Sequence, residues 1–255
     1  MVSMGFAIDQ MVKKLAKKGI KIDPDNVDDN REKRQEQESI RFTKQLHQNE
    51  RKRMFKSSLV SDPDDLKTTF NDFNADSTQL QQELSRAKWI GANIRDGSKD
   101  NYLFSGKPGR GKTMLAVSIL NALNSIPSCE LSCLFVSVEM FMNLEWTVYK
   151  NNNSWDKDEL YKAEQCIRNC DVLVLDDLGS EATFKSGKDV EQATKHKQEV
   201  LFRIADYRKS KTNIITTNNT GKELQTMYHP KIVSRLLTKD ASHYIEFVGE
   251  DKRRS

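Results

Sequence analysis

The sequence predicts an α/β fold, a five-stranded parallel sheet flanked by helices, preceded by a small helical region. Three observations carry this. From residue 70 onward, short apolar runs alternate with longer segments of helical periodicity, the pattern of βα units. Most of the runs are continuously apolar, as strands covered on both faces by helices are. One run, Tyr102-Leu103-Phe104, leads into a glycine-rich loop that opens a helix.

The elements follow in chain order. Phe6, Met11, Val12, Leu15 and Ala16 are spaced for a short amphipathic helix that ends near Gly19. Asp23-Pro24-Asp25-Asn26 reads as a turn. Residues 30–57 read as one long charged helix, with nine Lys/Arg against four Glu between Arg31 and Lys56. Its large apolar residues are Ile40, Phe42, Leu46, Met54 and Phe55. So thin a stripe cannot build its own core, which favours a partner-binding arm over a merely solvated helix. Ser61–Asp65 reads as a linker. Residues 1–65 thus form a helical, charged partner-binding region and residues 66–255 the α/β domain. In the latter, strands are expected at 101–105, 132–138, 172–176, 212–217 and 243–248. Helices are expected near 79–96, 112–124, 139–150, 158–169, 190–210 and 229–237.

Composition sets bounds. With 36% apolar and 31% charged residues among 255, the chain reads as a polar globular protein. No run of eighteen apolar residues occurs, so no membrane span is expected. The N-terminus lacks a short apolar segment followed by a cleavage site, and a cytoplasmic location is expected. The net charge of +4 permits nucleic-acid binding without requiring it. Cys129, Cys133, Cys166 and Cys170 form two Cys-x3-Cys pairs. That spacing admits zinc, but Cys133 and Cys170 adjoin apolar strand runs, and buried thiols are the favoured reading.

The chemistry sits at strand ends. Gly106-Lys107-Pro108-Gly109-Arg110-Gly111-Lys112-Thr113 matches the G-x-x-x-x-G-K-[ST] phosphate loop, in its required context between strand and helix. Glycines let backbone N–H groups turn inward around phosphate oxygens, and the helix N-terminus adds its positive dipole end. Lys112, expected to be exposed, would reach the β and γ phosphates of ATP, and the Thr113 hydroxyl would ligate Mg²⁺. Val172-Leu173-Val174-Leu175 ends in Asp176-Asp177. Asp176 is placed to hold the Mg²⁺ shell and Asp177 to orient or deprotonate the attacking water. Many such ATPases carry Glu at the second position, so the shorter Asp leaves that role less secure. Ile214-Ile215-Thr216-Thr217 ends at Asn218, whose amide could bridge the γ-phosphate and the water. Arg235 stands in an apolar helix, either as a surface cation or as an arginine finger. Gly249-Glu250-Asp251-Lys252-Arg253 reads, from spacing alone, as a basic tail.

The ordered set of phosphate loop, Asp-Asp-Leu-Gly, Thr-Thr-Asn, Ser-Arg-Leu and Gly-x-Asp-x-Arg resembles the DnaC/DnaI-type helicase loaders of the AAA+ superfamily. The resemblance covers roughly residues 70–254, including the lead-in Thr69-Phe70-Asn71-Asp72-Phe73. It implies a sheet of order 5-1-4-3-2, with Asn218 as sensor 1, Arg235 as a finger acting on a neighbouring subunit and Arg253 as sensor 2. It also implies self-association through the ATPase domain and a grip on the replicative DNA helicase by the N-terminal region. A segment near 139–165 would contact single-stranded DNA. Here it carries Trp146, Tyr149, Lys150, Trp155, Lys157 and Lys162, a mixture suited to base stacking and phosphate contact but equally to a core or a subunit interface. The function so implied is ATP-dependent loading of the helicase at replication initiation, with weak, DNA- or partner-modulated hydrolysis. Two rivals remain: an IstB-like transposition helper ATPase, and a nucleotide-dependent adaptor with negligible hydrolysis.

Overall fold

The computed structural model describes residues 13, 14, 17, 25–151, 153–180 and 192–249. The short helix expected before Gly19 lies almost wholly outside them, as do residues 190–191 and Arg253. The chain divides into two units, Met1–Asn49 and Glu50–Ser255.

The long charged helix is α1 (Asp25–Lys56). It takes in Asp25 and Asn26, expected in a turn; residue types that suit a turn also suit a helix start. Within the first unit Ile40, Phe42 and Leu46 are all exposed. The second unit begins upstream of the composition break at 65. Arg51 is buried and donates to the carbonyls of Leu123, Ile126 and Leu131. Met54, Phe55, Leu59, Val60 and Leu66 pack on the apolar core. Leu59 also bridges to the sheet, its N–H bonding Phe135 O at 2.9 Å and its carbonyl accepting from Ser137 N at 2.8 Å. The segment read as charged arm and linker therefore carries a few apolar anchors that composition averages away.

The rest is α2 (Thr78–Arg95), β1 (Asn101–Gly106), α3 (Lys112–Ser125), β2 (Cys133–Ser137), α4 (Val138–Asn151), α5 (Ser154–Asn169), β3 (Val172–Asp176), α6 (Lys195–Tyr207), β4 (Thr212–Thr217), α7 (Gly221–Met227), α8 (Pro230–Leu236) and β5 (Tyr244–Phe247). The five strands are all parallel, in the order β2-β3-β4-β1-β5, which is the implied 5-1-4-3-2 read from the other edge. Alternate side chains feed two cores. Leu134, Val136, Leu173, Leu175 and Ile215 face the helices α4 to α8. Phe135, Val172, Val174, Ile214 and Phe104 face α2 and α3. Both faces are covered, which is why the strands read as continuous apolar runs. Cys133 and Cys170 are fully buried in these cores; burial pushes the Cys170 thiol up to about 11 and that of Cys133 higher still. No described helix is long and apolar enough to cross a membrane.

Two features escape the sequence reading. Helix α7 is short, but Thr220 and Glu223 cap it reciprocally: Glu223 N bonds Thr220 Oγ1 at 3.2 Å, and Thr220 N bonds the Glu223 carboxylate at 2.6 Å. That T-x-x-E signature is legible in the sequence. Arg208, which directly follows α6, is fully buried. Its guanidinium donates to Asn213 Oδ1, to Thr212 O and to the carbonyls of Ile167, Cys170 and Asp171. It thereby satisfies backbone groups where β3 and β4 begin, which supports its burial.

Candidate functional site

The site is built where β1, β3 and β4 end. Gly106, the last residue of β1, has φ 149°, and a Cβ there would lie 2.9 Å from Phe247 Cβ and closer still to the Phe247 carbonyl oxygen. Glycine lets the loop leave the sheet beside β5. Gly109 and Gly111 also have positive φ (76° and 84°), and a Cβ on Gly111 would meet the Phe73 ring at 2.6 Å. The lead-in segment 69–73 thus closes against the phosphate loop. Lys107 and Pro108 are exposed on its outer side. Arg110 Nε is buried and makes no hydrogen bond to the described residues.

Lys112, the first residue of α3, is only 6% exposed, contrary to the expectation of an exposed side chain. Its ammonium donates to Gly106 O (2.6 Å), Lys107 O (2.9 Å) and Asn218 Oδ1 (2.8 Å). A long cation on the first turn of a helix has the loop's own carbonyls within reach, and they draw it inward.

One residue along, Thr113 Oγ1 donates to Asp176 Oδ1 at 2.8 Å, and the same oxygen accepts from Thr216 Oγ1 at 2.6 Å. Burial raises the Asp176 carboxyl above its ordinary range; the two hydroxyl bonds oppose this, Asp177 adds to it, and Lys112 counters it. Asp177 has φ 60°, the one non-glycine with positive φ among the described residues. The left-handed turn is held at both ends: Asp177 N donates to Thr216 Oγ1 at 2.8 Å and Asp177 O accepts from Ser180 Oγ at 2.8 Å. It brings the carboxylate to Asn218, whose Nδ2 donates to Asp177 Oδ1 at 2.7 Å. Asp tolerates this conformation better than most residues, a physical reason for Asp where Glu is more usual. Thr216 was not singled out in the sequence, although it touches both carboxylate residues; a Thr in a buried strand carries no signal of that role.

Lys112, Thr113, Asp176, Asp177 and Asn218, joined through Thr216, therefore form one connected polar group. A carboxylate beside a hydroxyl is a hard-cation donor set. A lysine, a helix N-terminus and a turned glycine loop suit the phosphates of a nucleotide, and the unbonded Arg110 Nε leaves a donor in the same loop. The residues present fit the phosphates of a nucleotide together with Mg²⁺. Arg235 lies elsewhere, on α8. Its described partners are the Phe202 ring, Asp206 and Lys231 O.

A second surface lies on α4 and α5. Trp146, Tyr149, Trp155 and Tyr161 are 58%, 74%, 75% and 62% exposed, so these aromatics are not core residues. Behind them Glu145 is buried, and with Glu164 it binds the Arg203 guanidinium of α6. Burial raises the Glu145 carboxyl, with the Arg203 charge opposing.

The model of the ATPase family associated with various cellular activities (AAA) matches residues 102–239, from β1 through α8. The replicative helicase loader DnaC of Escherichia coli K12 is 24% identical over 170 residues, spanning 66% of this chain and 62% of its own length. YdaV of the same strain, an uncharacterized protein, is 28% identical over 189 residues, 73% of this chain and 68% of its own. A crystal structure of the DnaC helicase loader is similar in fold, with a TM-score of 0.55 at 20% identity over 74% of this chain and 100% of that one. One of DnaI gives 0.54 at 21%, over 77% and 96%. The family match covers more than half of the chain and spans the connected polar group from Gly106 to Asn218. The chain belongs to the AAA family of ATPases.

Proposed function

We propose that this protein is an ATP-dependent loader of a replicative DNA helicase, with nucleotide binding and hydrolysis as the switch. The observation that carries the reading is the connected group of Lys112, Thr113, Asp176, Asp177 and Asn218, in a chain related to a helicase loader. In this reading Gly106–Thr113 hold the phosphates of ATP, and Thr113 and Asp176 hold Mg²⁺, which supplies charge neutralisation at the phosphates when bound. Asp177 orients the attacking water or takes its proton. Asn218, linked to both Lys112 and Asp177, senses the γ-phosphate. Arg235 completes the site of a neighbouring subunit, and Arg253, outside the described residues, acts as sensor 2. Nucleotide contacts that differ between two assembly states shift the balance between them. The exposed aromatics of α4 and α5, with Lys150, Lys157 and Lys162, contact single-stranded DNA by stacking and phosphate pairing. Within the N-terminal region, residues 1–49 grip the helicase, and the unit that begins at Glu50 binds nucleotide and self-associates.

A second reading, an adaptor with negligible hydrolysis, draws on one observation: Asp177 is short and its Oδ1 is taken by Asn218. Phosphate release with and without single-stranded DNA separates the two.

The helicase grip has its own test. Phe42 and Leu46 are exposed and four residues apart on α1, hence on one helix face. Phe55, in contrast, packs on the core of the second unit and is a poor probe. In the full chain, Phe42→Asp with Leu46→Asp is expected to abolish capture of the cognate helicase and leave nucleotide binding unchanged. Undiminished capture would remove the arm from the account.

A further inference from the structure

The surroundings of Arg235 go beyond its assignment as a finger. The Cζ of its guanidinium lies over the Phe202 ring, 5.1 Å from the centroid. One edge is tied down: Nη1 donates to Lys231 O at 2.8 Å. Nε faces Asp206 Oδ1 at 3.7 Å, a loose pairing that Asp206 shares with Lys209. Nη2 has no hydrogen-bond partner among the described residues. Phe202 and Asp206 sit one turn apart on α6 and so face the same way, and Phe202 is itself anchored against the core. The helix that carries Arg235 is fixed too, since Asn101 Nδ2 on β1 donates to the Arg235 carbonyl at 2.7 Å. A guanidinium is thus held against a ring and at Nη1, while its Nη2 donors are taken by no described residue and the side chain stays 27% exposed. A free arginine side chain would have to be ordered before it could meet a phosphate, whereas this one is largely ordered beforehand.

We infer that Phe202 and Asp206 are positioning residues that aim Arg235 for phosphate contact on a neighbouring copy of this chain. The inference rests on the reading of Arg235 as a finger acting between subunits. Phe202 supplies the plate: the cation–π contact confines the guanidinium without using any of its N–H donors. Asp206 supplies a tether loose enough to release the cation when a phosphate competes. Lysine at 235 would not substitute, because an ammonium cannot stack and present a fork together.

The test is a double-mutant cycle on the full chain, reading kcat and ATP affinity separately. Phe202→Leu is expected to lower kcat about tenfold with ATP affinity unchanged. Phe202→Tyr keeps the ring and should retain kcat within about twofold. Asp206→Asn keeps the shape and should lower kcat about threefold; it serves if Phe202→Leu does not fold. In the Arg235→Ala background neither change should lower kcat further, because both act through Arg235. Additive losses in that background would overturn the positioning role, since a residue that merely supports the fold lowers the rate whether or not Arg235 is present. So would an unchanged kcat in both Phe202→Leu and Asp206→Asn. Full turnover in Arg235→Ala alone, or no turnover in the unaltered protein, would overturn the finger reading and the inference with it. The two failures are therefore distinguishable.

Discussion

Replacing Lys112 by alanine is expected to lower ATP affinity about a hundredfold or more. A charge-assisted hydrogen bond contributes about 1.5–3 kcal/mol, and a lysine bridging the β and γ phosphates makes at least two. Each 1.4 kcal/mol is about tenfold in affinity. The substitution also acts on the protein itself, because Lys112 is buried and donates to Gly106 O, Lys107 O and Asn218 Oδ1. Alanine leaves those acceptors without a donor but also removes a buried charge. The two effects oppose, so the melting temperature is expected to fall by a few degrees and no more. Titration with a labelled nucleotide, beside a thermal melt of the same sample, separates binding from stability. An unaltered affinity would contradict the assignment of the phosphate loop.

The second large effect belongs to Arg235. A finger that serves a neighbour contributes nothing to ATP binding in its own subunit. Arg235→Ala is therefore expected to leave nucleotide affinity near normal and to reduce hydrolysis on the order of 10³-fold, as such fingers do elsewhere. A weak ATPase would show less. Action between subunits is tested by mixing Arg235→Ala protein with Asp177→Asn protein, each inactive alone. Some interfaces of a mixed assembly pair an intact Asp177 with an intact Arg235, and those should hydrolyse ATP. No recovery at any ratio, with mixed assembly verified, would mean that Arg235 acts within its own subunit or only holds α8.

What the sequence could and could not disclose follows from the kind of signal each feature leaves. The five strands were legible because a sheet covered on both faces needs continuous apolar runs, and their order came from the family resemblance. The phosphate loop was legible because its glycines answer to positive φ and close approach, as at Gly106 and Gly111. The packing of residues 50–60 leaves little trace in the sequence because charge dominates their composition, while a few anchors, Arg51, Met54, Phe55 and Leu59, decide where they sit. Burial of Lys112 and Arg208 was not legible at all. It depends on acceptors that converge in space, the loop's own carbonyls and Asn218 around Lys112 and the carbonyls of Ile167, Cys170 and Asp171 around Arg208, which no periodicity records. The left-handed turn at Asp177 likewise leaves only a weak trace, the choice of Asp over Glu. Exposure of Trp146, Tyr149 and Trp155 could not be read either, since aromatic residues at helical spacing suit a core and a binding face equally.

The central claim is that this protein uses ATP to place a replicative helicase on DNA. The most direct measurement is the amount of cognate hexameric helicase that becomes stably bound to circular single-stranded DNA, where no free end permits threading. The account predicts that helicase deposition requires both this protein and ATP, and that Lys112→Ala protein fails to support it. Equal deposition without the protein, or with the Lys112→Ala variant, would contradict the account.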